Sequence, residues 1–303
     1  MNHTLNRRHF LQCTSLSLAG LSIGLPGARA IEPFARAGAP RLLLSLAAYS
    51  FREFFNHADP ARRIDLFQFI DFCAAHGCLG TELTSYYFPK QVTEELLLKV
   101  RRHAFLRGVA VSGTAVGNEF TLPKSEKRDA QIASVKQWID HAAVMGAPHV
   151  RIFAGQLHGT TKDEAKKLCI SAMEECAEHA GRKGIFLGVE NHSGIATDPA
   201  ELLDMIRAVQ SPWVGLNLDT GNFNTDDPYR DVALCAPYAV NVQLKAEIHR
   251  RGQDPEPADL PRKVKILREA NYQGYVALEY EAKEDPWKAV PELLKRMKEL
   301  FAA

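Results

Sequence analysis

From Arg41 onward, short apolar runs alternate with longer stretches in which apolar residues recur at helical spacing. Eight runs read as strands, at 42–48, 79–83, 109–115, 148–153, 185–190, 214–219, 240–245 and 275–280. The intervening stretches predict helices at roughly 60–76, 92–107, 126–145, 161–182, 199–210, 228–238, 260–271 and 286–301. Local chemistry supports these boundaries. Asp59-Pro60, Asp198-Pro199, Asp227-Pro228 and Asp285-Pro286 each offer an N-cap followed by proline in the first turn. Asp198 and Glu201 have capping-box spacing. Gly77, Gly108, Gly146 and Gly274 stand where helices should stop. Strands apolar on both faces and interleaved with helices imply a parallel sheet.

Eight strand–helix units in one chain fit a closed (β/α)8 TIM barrel, an α/β fold that leaves the sheet no free edge. An open doubly wound sheet would call for a glycine-rich phosphate loop, and neither GxGxxG nor GxxxxGK[ST] occurs. Catalytic groups of such barrels come from the C-terminal strand ends. Here those ends turn polar. The run Gly184-Ile185-Phe186-Leu187-Gly188-Val189 closes on Glu190-Asn191-His192, and the next strands end in Asn217 and Asp219, Gln243 and Lys245, and Glu279 and Glu281.

The ordered set Glu190, Asp219, Gln243 with Lys245, and Glu279 resembles the xylose isomerase-like TIM barrels. More narrowly it is similar to the sugar phosphate isomerase/epimerase group, which includes ketose 3-epimerases. The supporting phrases are Gly80-Thr81-Glu82-Leu83, Val189-Glu190-Asn191-His192, Leu218-Asp219-Thr220-Gly221-Asn222 and Leu278-Glu279-Tyr280. The resemblance implies that Glu190, Asp219, Gln243 and Glu279 bind one divalent metal, and that the two glutamates exchange protons with the substrate. This chain departs from the family at Gln243 and Asn222, where histidine is usual or frequent, and at Ala246, where an acid often follows the lysine. An all-oxygen ligand set favours Mn2+ or Mg2+ over Zn2+.

The chemistry of these residue types agrees. A proton beside a carbonyl leaves at neutral pH only if the enolate is stabilised, which a divalent cation does as a Lewis acid. Carboxylates on two sides of the substrate can then remove and return the proton. Lys245 can stabilise the enediolate oxygen or pair with a ligand carboxylate. His192 is read as a base, a substrate donor or a support for neighbouring groups. Glu82, Arg151 and Asn222 are candidate substrate contacts. Tyr86, Tyr87 and Phe88 suit either a sugar face or the core. The polar 246–259 loop is expected at the rim.

Composition narrows the function classes further. With 46% hydrophobic and 24% charged residues and a net charge of +1, nothing favours nucleic acid or an anionic membrane as partner. A related endonuclease is disfavoured because the strand ends are poor in histidine. Three readings remain: a metal-dependent sugar isomerase/epimerase, a lyase cleaving a 3-keto-glycoside by the same first proton removal, and a non-catalytic sugar-binding barrel. The expected partner is a carbohydrate, with no membrane anchor, and homo-oligomerisation stays open.

Residues 1–30 read as an address. Asn6-Arg7-Arg8-His9-Phe10-Leu11 resembles a twin-arginine motif, an apolar stretch spans Leu16 to Leu25, and Ala28-Arg29-Ala30 fits a cleavage site. The expected organisation is this leader, a linker over 31–40 and one barrel over 41–303, with export to the periplasm or beyond. Six cysteines, one of them in the leader, leave an odd number and no zinc spacing, so Cys169 and Cys176 are expected as small core residues.

Overall fold

The computed structural model describes residues 31–303, so the leader lies outside the described residues. The barrel strands are β1 (Arg41–Ala47), β2 (Gly80–Thr84), β3 (Ala110–Ala115), β4 (His149–Ile152), β5 (Phe186–Glu190), β6 (Val214–Asp219), β7 (Ala239–Leu244) and β8 (Gln273–Leu278). They pair in chain order, all parallel, and β8 returns to β1 through a register running from Arg41 opposite Gln273 to Leu46 opposite Leu278. The fold is the closed barrel that the alternation predicted.

The outer layer consists of α1 (Leu66–Ala75), α2 (Glu94–Leu106), α3 (Glu126–Met145), α4 (Lys162–Lys183), α5 (Pro199–Ala208), α6 (Pro228–Cys235), α7 (Leu260–Glu269) and α8 (Pro286–Ala302). Asp198, Asp227 and Asp285 cap α5, α6 and α8 through their side chains. Asp59-Pro60 starts only a single turn over Pro60–Arg62, and α1 begins later at a capping box between Asp65 and Gln68. At the end of α7 it is Asn271, at φ 52°, that takes the left-handed position. Gly274 lies inside β8.

Strand alternation divides the core into two environments. Leu187, Val189, Leu216, Leu218, Val242 and Leu244 are buried. Each such side chain contributes roughly 1.5–3 kcal/mol by leaving water. The alternate positions carry Glu190, Asn217, Asp219, Asn241 and Gln243, equally buried but polar. Space among them depends on glycine at two places. A Cβ at Gly113 would meet the His149 ring at 1.8 Å, and one at Gly221 would meet the Lys245 side chain at 2.6 Å.

Two features were not foreseen. Asn224–Thr225, Glu247–Arg250 and Glu256–Pro257 form a small outer sheet, so the polar 246–259 stretch is ordered rather than a simple loop. The segment after Ile31 lies along the opposite end of the barrel. Ile31 N–H donates to the Arg207 carbonyl, Phe34 N–H to that of Pro237, and Asn271 binds the Arg36 carbonyl. Cys73, Cys78, Cys169, Cys176 and Cys235 are buried and unpaired. Among the described residues no helix is long and apolar enough to cross a membrane.

Candidate active site

The lumen of the barrel holds a layer of amides around one carboxylate. Asn241 Nδ2 donates to Glu82 Oε2 at 2.7 Å and to Asn217 Oδ1 at 2.8 Å. Gln243 Nε2 donates to Glu82 Oε1 at 2.6 Å and to Glu279 Oε1 at 3.2 Å, while its Oε1 accepts from Asn217 Nδ2 at 2.6 Å. Burial, and then the Glu279 charge, push the Glu82 carboxyl up to about 7 against the pull of these amides. The His149 Nε2 lies 3.9 Å from Glu82 Oε2, and burial takes its imidazole down to about 4, so it is neutral near pH 7.

Above this layer, at the C-terminal strand ends, stand the charged groups. Glu190, the last residue of β5, meets Arg151 Nε at 3.0 Å and accepts from Asn222 Nδ2 at 3.0 Å. Asp219, the last residue of β6, accepts on Oδ1 from the Gly221 and Asn222 N–H groups. Asn191 bridges to the Asp219 backbone in both directions at 2.8 Å, locking the two strand ends together. The Lys245 ammonium stands 3.2 Å from Asp219 Oδ2 and 2.8 Å from Glu279 Oε2, and it also contacts Glu281.

Burial raises Glu190 to about 8, with Arg151 opposing and Glu279 and Asp219 adding to the rise. Asp219 goes up to about 6 by burial, opposed by Lys245. For Lys245 burial works against the charge, yet the surrounding Asp219, Glu279 and Glu281 carboxylates raise it well above the usual lysine range. It is therefore a permanent cation. Carboxylates with raised pKa values gathered at a strand-end mouth suit proton transfer near neutrality.

Three of the four expected ligands have the oxygen chemistry that a hard divalent cation takes. Glu190, Asp219 and Glu279 are buried carboxylates, and Asp219 Oδ2 is buried without a hydrogen bond. Gln243 does not fit as seated, because its oxygen is taken by Asn217 and its N–H groups face the carboxylates. Among the described residues no three His, Cys, Asp or Glu side chains stand close enough together to hold a metal ion. Lys245 stands between the Asp219 and Glu279 oxygens instead.

Glu82, Arg151, Glu190, Asp219, Asn222, Gln243, Lys245 and Glu279 thus share one connected network. His192 lies apart. It follows the end of β5, is exposed, packs on Phe153 at 4.9 Å between ring centres and pairs with Ser193 at 3.0 Å. Partial burial and the Arg151 and Lys245 charges hold its imidazole below the ordinary range. Tyr87 stacks on Phe55 at 4.1 Å, whereas Tyr86 is exposed.

Sequence reasoning missed Asn241 and Lys263. Asn241 was readable as the residue two before Gln243, on the same strand face. Lys263, on α7, carried no signal: it reads as one of several surface lysines. It is fully buried and donates from Nζ to the Lys245 carbonyl at 2.8 Å, which holds the end of β7. Burial lowers it to about 7.

The family model described as the xylose isomerase-like TIM barrel matches residues 70–300. The chain belongs to this family. Among solved structures it is similar to a xylose isomerase domain protein from Planctomyces limnophilus, at 16% identity over 88% of this chain and 98% of that one, with a TM-score of 0.65. D-psicose 3-epimerase from Clostridium cellulolyticum H10 follows at 14% identity over 84% and 89%, with a TM-score of 0.66. The 3-keto-D-glucoside 4-epimerase of E. coli matches at 15% identity over 86% and 100%, with a TM-score of 0.64. These likenesses establish the shared fold. No curated protein matches the chain.

Proposed function

We propose that the chain is a divalent-metal-dependent isomerase or epimerase that moves a proton beside the carbonyl of a sugar or sugar derivative. The observation that carries this reading is the gathering of Glu190, Asp219 and Glu279 with Lys245 and Arg151 in one buried network at the C-terminal strand ends. Similarity to a psicose epimerase and a keto-glucoside epimerase supports the substrate class. Glu190 in its ionised form takes the carbon-bound proton, and the raised proton affinity of its buried carboxyl helps to hold it. Glu279, delivered by β8, serves from another side of the mouth. Lys245 stabilises the oxygen that gains charge as the proton leaves. Arg151 and Asn222 fix the orientation of Glu190.

Glu190, Asp219 and Glu279 would hold a divalent ion, Mn2+ or Mg2+, which would supply Lewis-acid polarisation of the carbonyl. Gln243 completes the set only after its amide turns its oxygen toward the mouth. Incubation of metal-loaded protein with keto-sugars and 3-keto-glycosides in D2O tests the reading. Deuterium beside the carbonyl without cleavage is the expected result. Cleavage would assign a lyase, and the absence of both exchange and cleavage would favour a binding barrel.

For location, we propose export by the twin-arginine route with cleavage after Ala30, supported by the order of the arginine pair, apolar stretch and small residues. Replacing Arg7 and Arg8 by Lys is expected to abolish the exported fraction in cell fractionation. Unchanged export would instead indicate a general secretory leader.

A further inference from the structure

Between the loops that follow β1 and β8 lies a cavity of about 520 Å3, a size typical of small-molecule sites. Its lining is distinct from the carboxylate cluster but has one residue in contact with it. Glu281 belongs to both, lining the cavity while contacting the Lys245 ammonium that pairs with Glu279. The shared wall is fixed in place. Ser50 Oγ accepts from Tyr280 N–H at 2.9 Å, and Arg52 donates to the Tyr280 carbonyl at 3.1 Å. On the outer side the Arg62 guanidinium lies 5.5 Å from the centre of the Phe54 ring.

The charges select the ligand. Arg52, Arg62 and Lys283 bring three cations to the lining. Glu53, Glu284 and Asp285 bring three carboxylates, and the fourth, Glu281, is already paired with Lys245, so the lining is close to charge balance. Among the described residues neither Arg62 nor Lys283 has a carboxylate partner within 4.0 Å. A phosphate or acid group entering here would meet the Glu53, Glu284 and Asp285 carboxylates among the cations. A sugar hydroxyl suits the lining on both counts, because it donates to carboxylates and accepts from guanidinium or ammonium. Interleaved donors and acceptors around a wall with an aromatic ring describe a site for an uncharged polyol.

We propose that this cavity is a second glycosyl subsite, so that the substrate is a neutral keto-glycoside. Its reacting ring lies at Glu190 and Glu279, and its other sugar unit lies against Arg52, Arg62 and Glu284. The proposal rests on the isomerase/epimerase reading for the reacting ring, while the subsite itself is readable without any reaction.

Calorimetric titration of the full chain with glucose, glucose 6-phosphate and the disaccharides trehalose, maltose and sucrose measures the subsite directly. At least one disaccharide is expected to bind about tenfold or more tightly than glucose. That gap is expected to close in Arg62→Ala, which alters an exposed turn, and in Ala282→Trp, which fills the cavity. In the D2O assay, kcat/KM for the matching 3-keto-disaccharide is expected to exceed that for 3-keto-glucose by a similar factor. Equal affinities for glucose and all three disaccharides would overturn the subsite. So would a gap that survives both substitutions, or tightest binding of glucose 6-phosphate. Tighter disaccharide binding without any solvent exchange would remove the isomerase reading and leave the subsite standing.

Discussion

Glu82 and Glu190 are both fully enclosed carboxylates of one barrel lumen, yet they keep different company. Glu82 is surrounded by the neutral amides of Asn241 and Gln243, both of which also bond to Asn217. Glu190 faces a guanidinium, a side-chain amide and two further carboxylates close enough to raise its pKa. The lower layer holds geometry and bonds to the rim through Gln243 and Glu279. At the rim, Glu190, Asp219, Glu279 and Glu281 face Arg151 and Lys245, leaving an excess of negative charge and one carboxylate oxygen without a hydrogen bond. Such an imbalance is stable only if protons, a metal or a substrate relieve it.

Breaking the rim should therefore act on chemistry first. Glu190→Gln and Glu279→Gln keep an oxygen and the size of the side chain while removing the base, and are expected to lower turnover by at least about a hundredfold with metal still bound. Steady-state kinetics alongside metal analysis checks this. Near-normal turnover in both would end the two-carboxylate mechanism.

A second measurement sharpens the comparison through pH. Folded pKa values of about 7 for Glu82, about 8 for Glu190 and about 6 for Asp219 lie above their ordinary values, so the metal-free fold keeps protons that the unfolded chain has released. Taken alone, these three groups make stability fall as pH rises from about 4 through 8, while His149 and Lys263, held below their ordinary values, oppose them below about 6.5 and above about 7. A divalent ion that takes over the Glu190 and Asp219 oxygens should raise Tm more at pH 8 than at pH 5.5 and release protons on binding. At a hundredfold excess over Kd the stabilisation is about 2.7 kcal/mol. Equal Tm shifts at both pH values would argue against the carboxylate site.

Breaking the lower layer should act on the fold. Asn241→Leu strands Glu82 Oε2 and Asn217 Oδ1 in the lumen, at a cost of about 1–3 kcal/mol, read as a lowered denaturant midpoint. Turnover in the folded fraction should fall less than in the glutamine variants. A larger catalytic than structural loss would move Glu82 and its amides into the reacting layer.

How far the chain revealed itself beforehand follows from the range of the interactions involved. Strand and helix identity depend on local periodicity, and all eight units were readable. The strand-end acids were readable because alternation places Asn217 and Asp219 on one face without knowledge of the partner strands. Orientation was not. That Gln243 points its oxygen at Asn217 depends on residues 26 positions away, and that Lys263 is buried depends on where α7 packs over Lys245. His192 was expected on the Glu190 face, but the alternation stops where β5 stops. The Asp59-Pro60 start failed because a better capping box lay downstream.

The segment from Ile31 to Arg36 binds the carbonyls of Arg207, Pro237 and Ala239, all at the end of the barrel away from the mouth. The polypeptide therefore enters the domain from its back. A support, a fusion partner or a surface coupled ahead of Ile31 would hold the domain by its base and leave the mouth facing the medium. The position of this short segment thus puts the point of attachment on the side of the domain opposite the mouth.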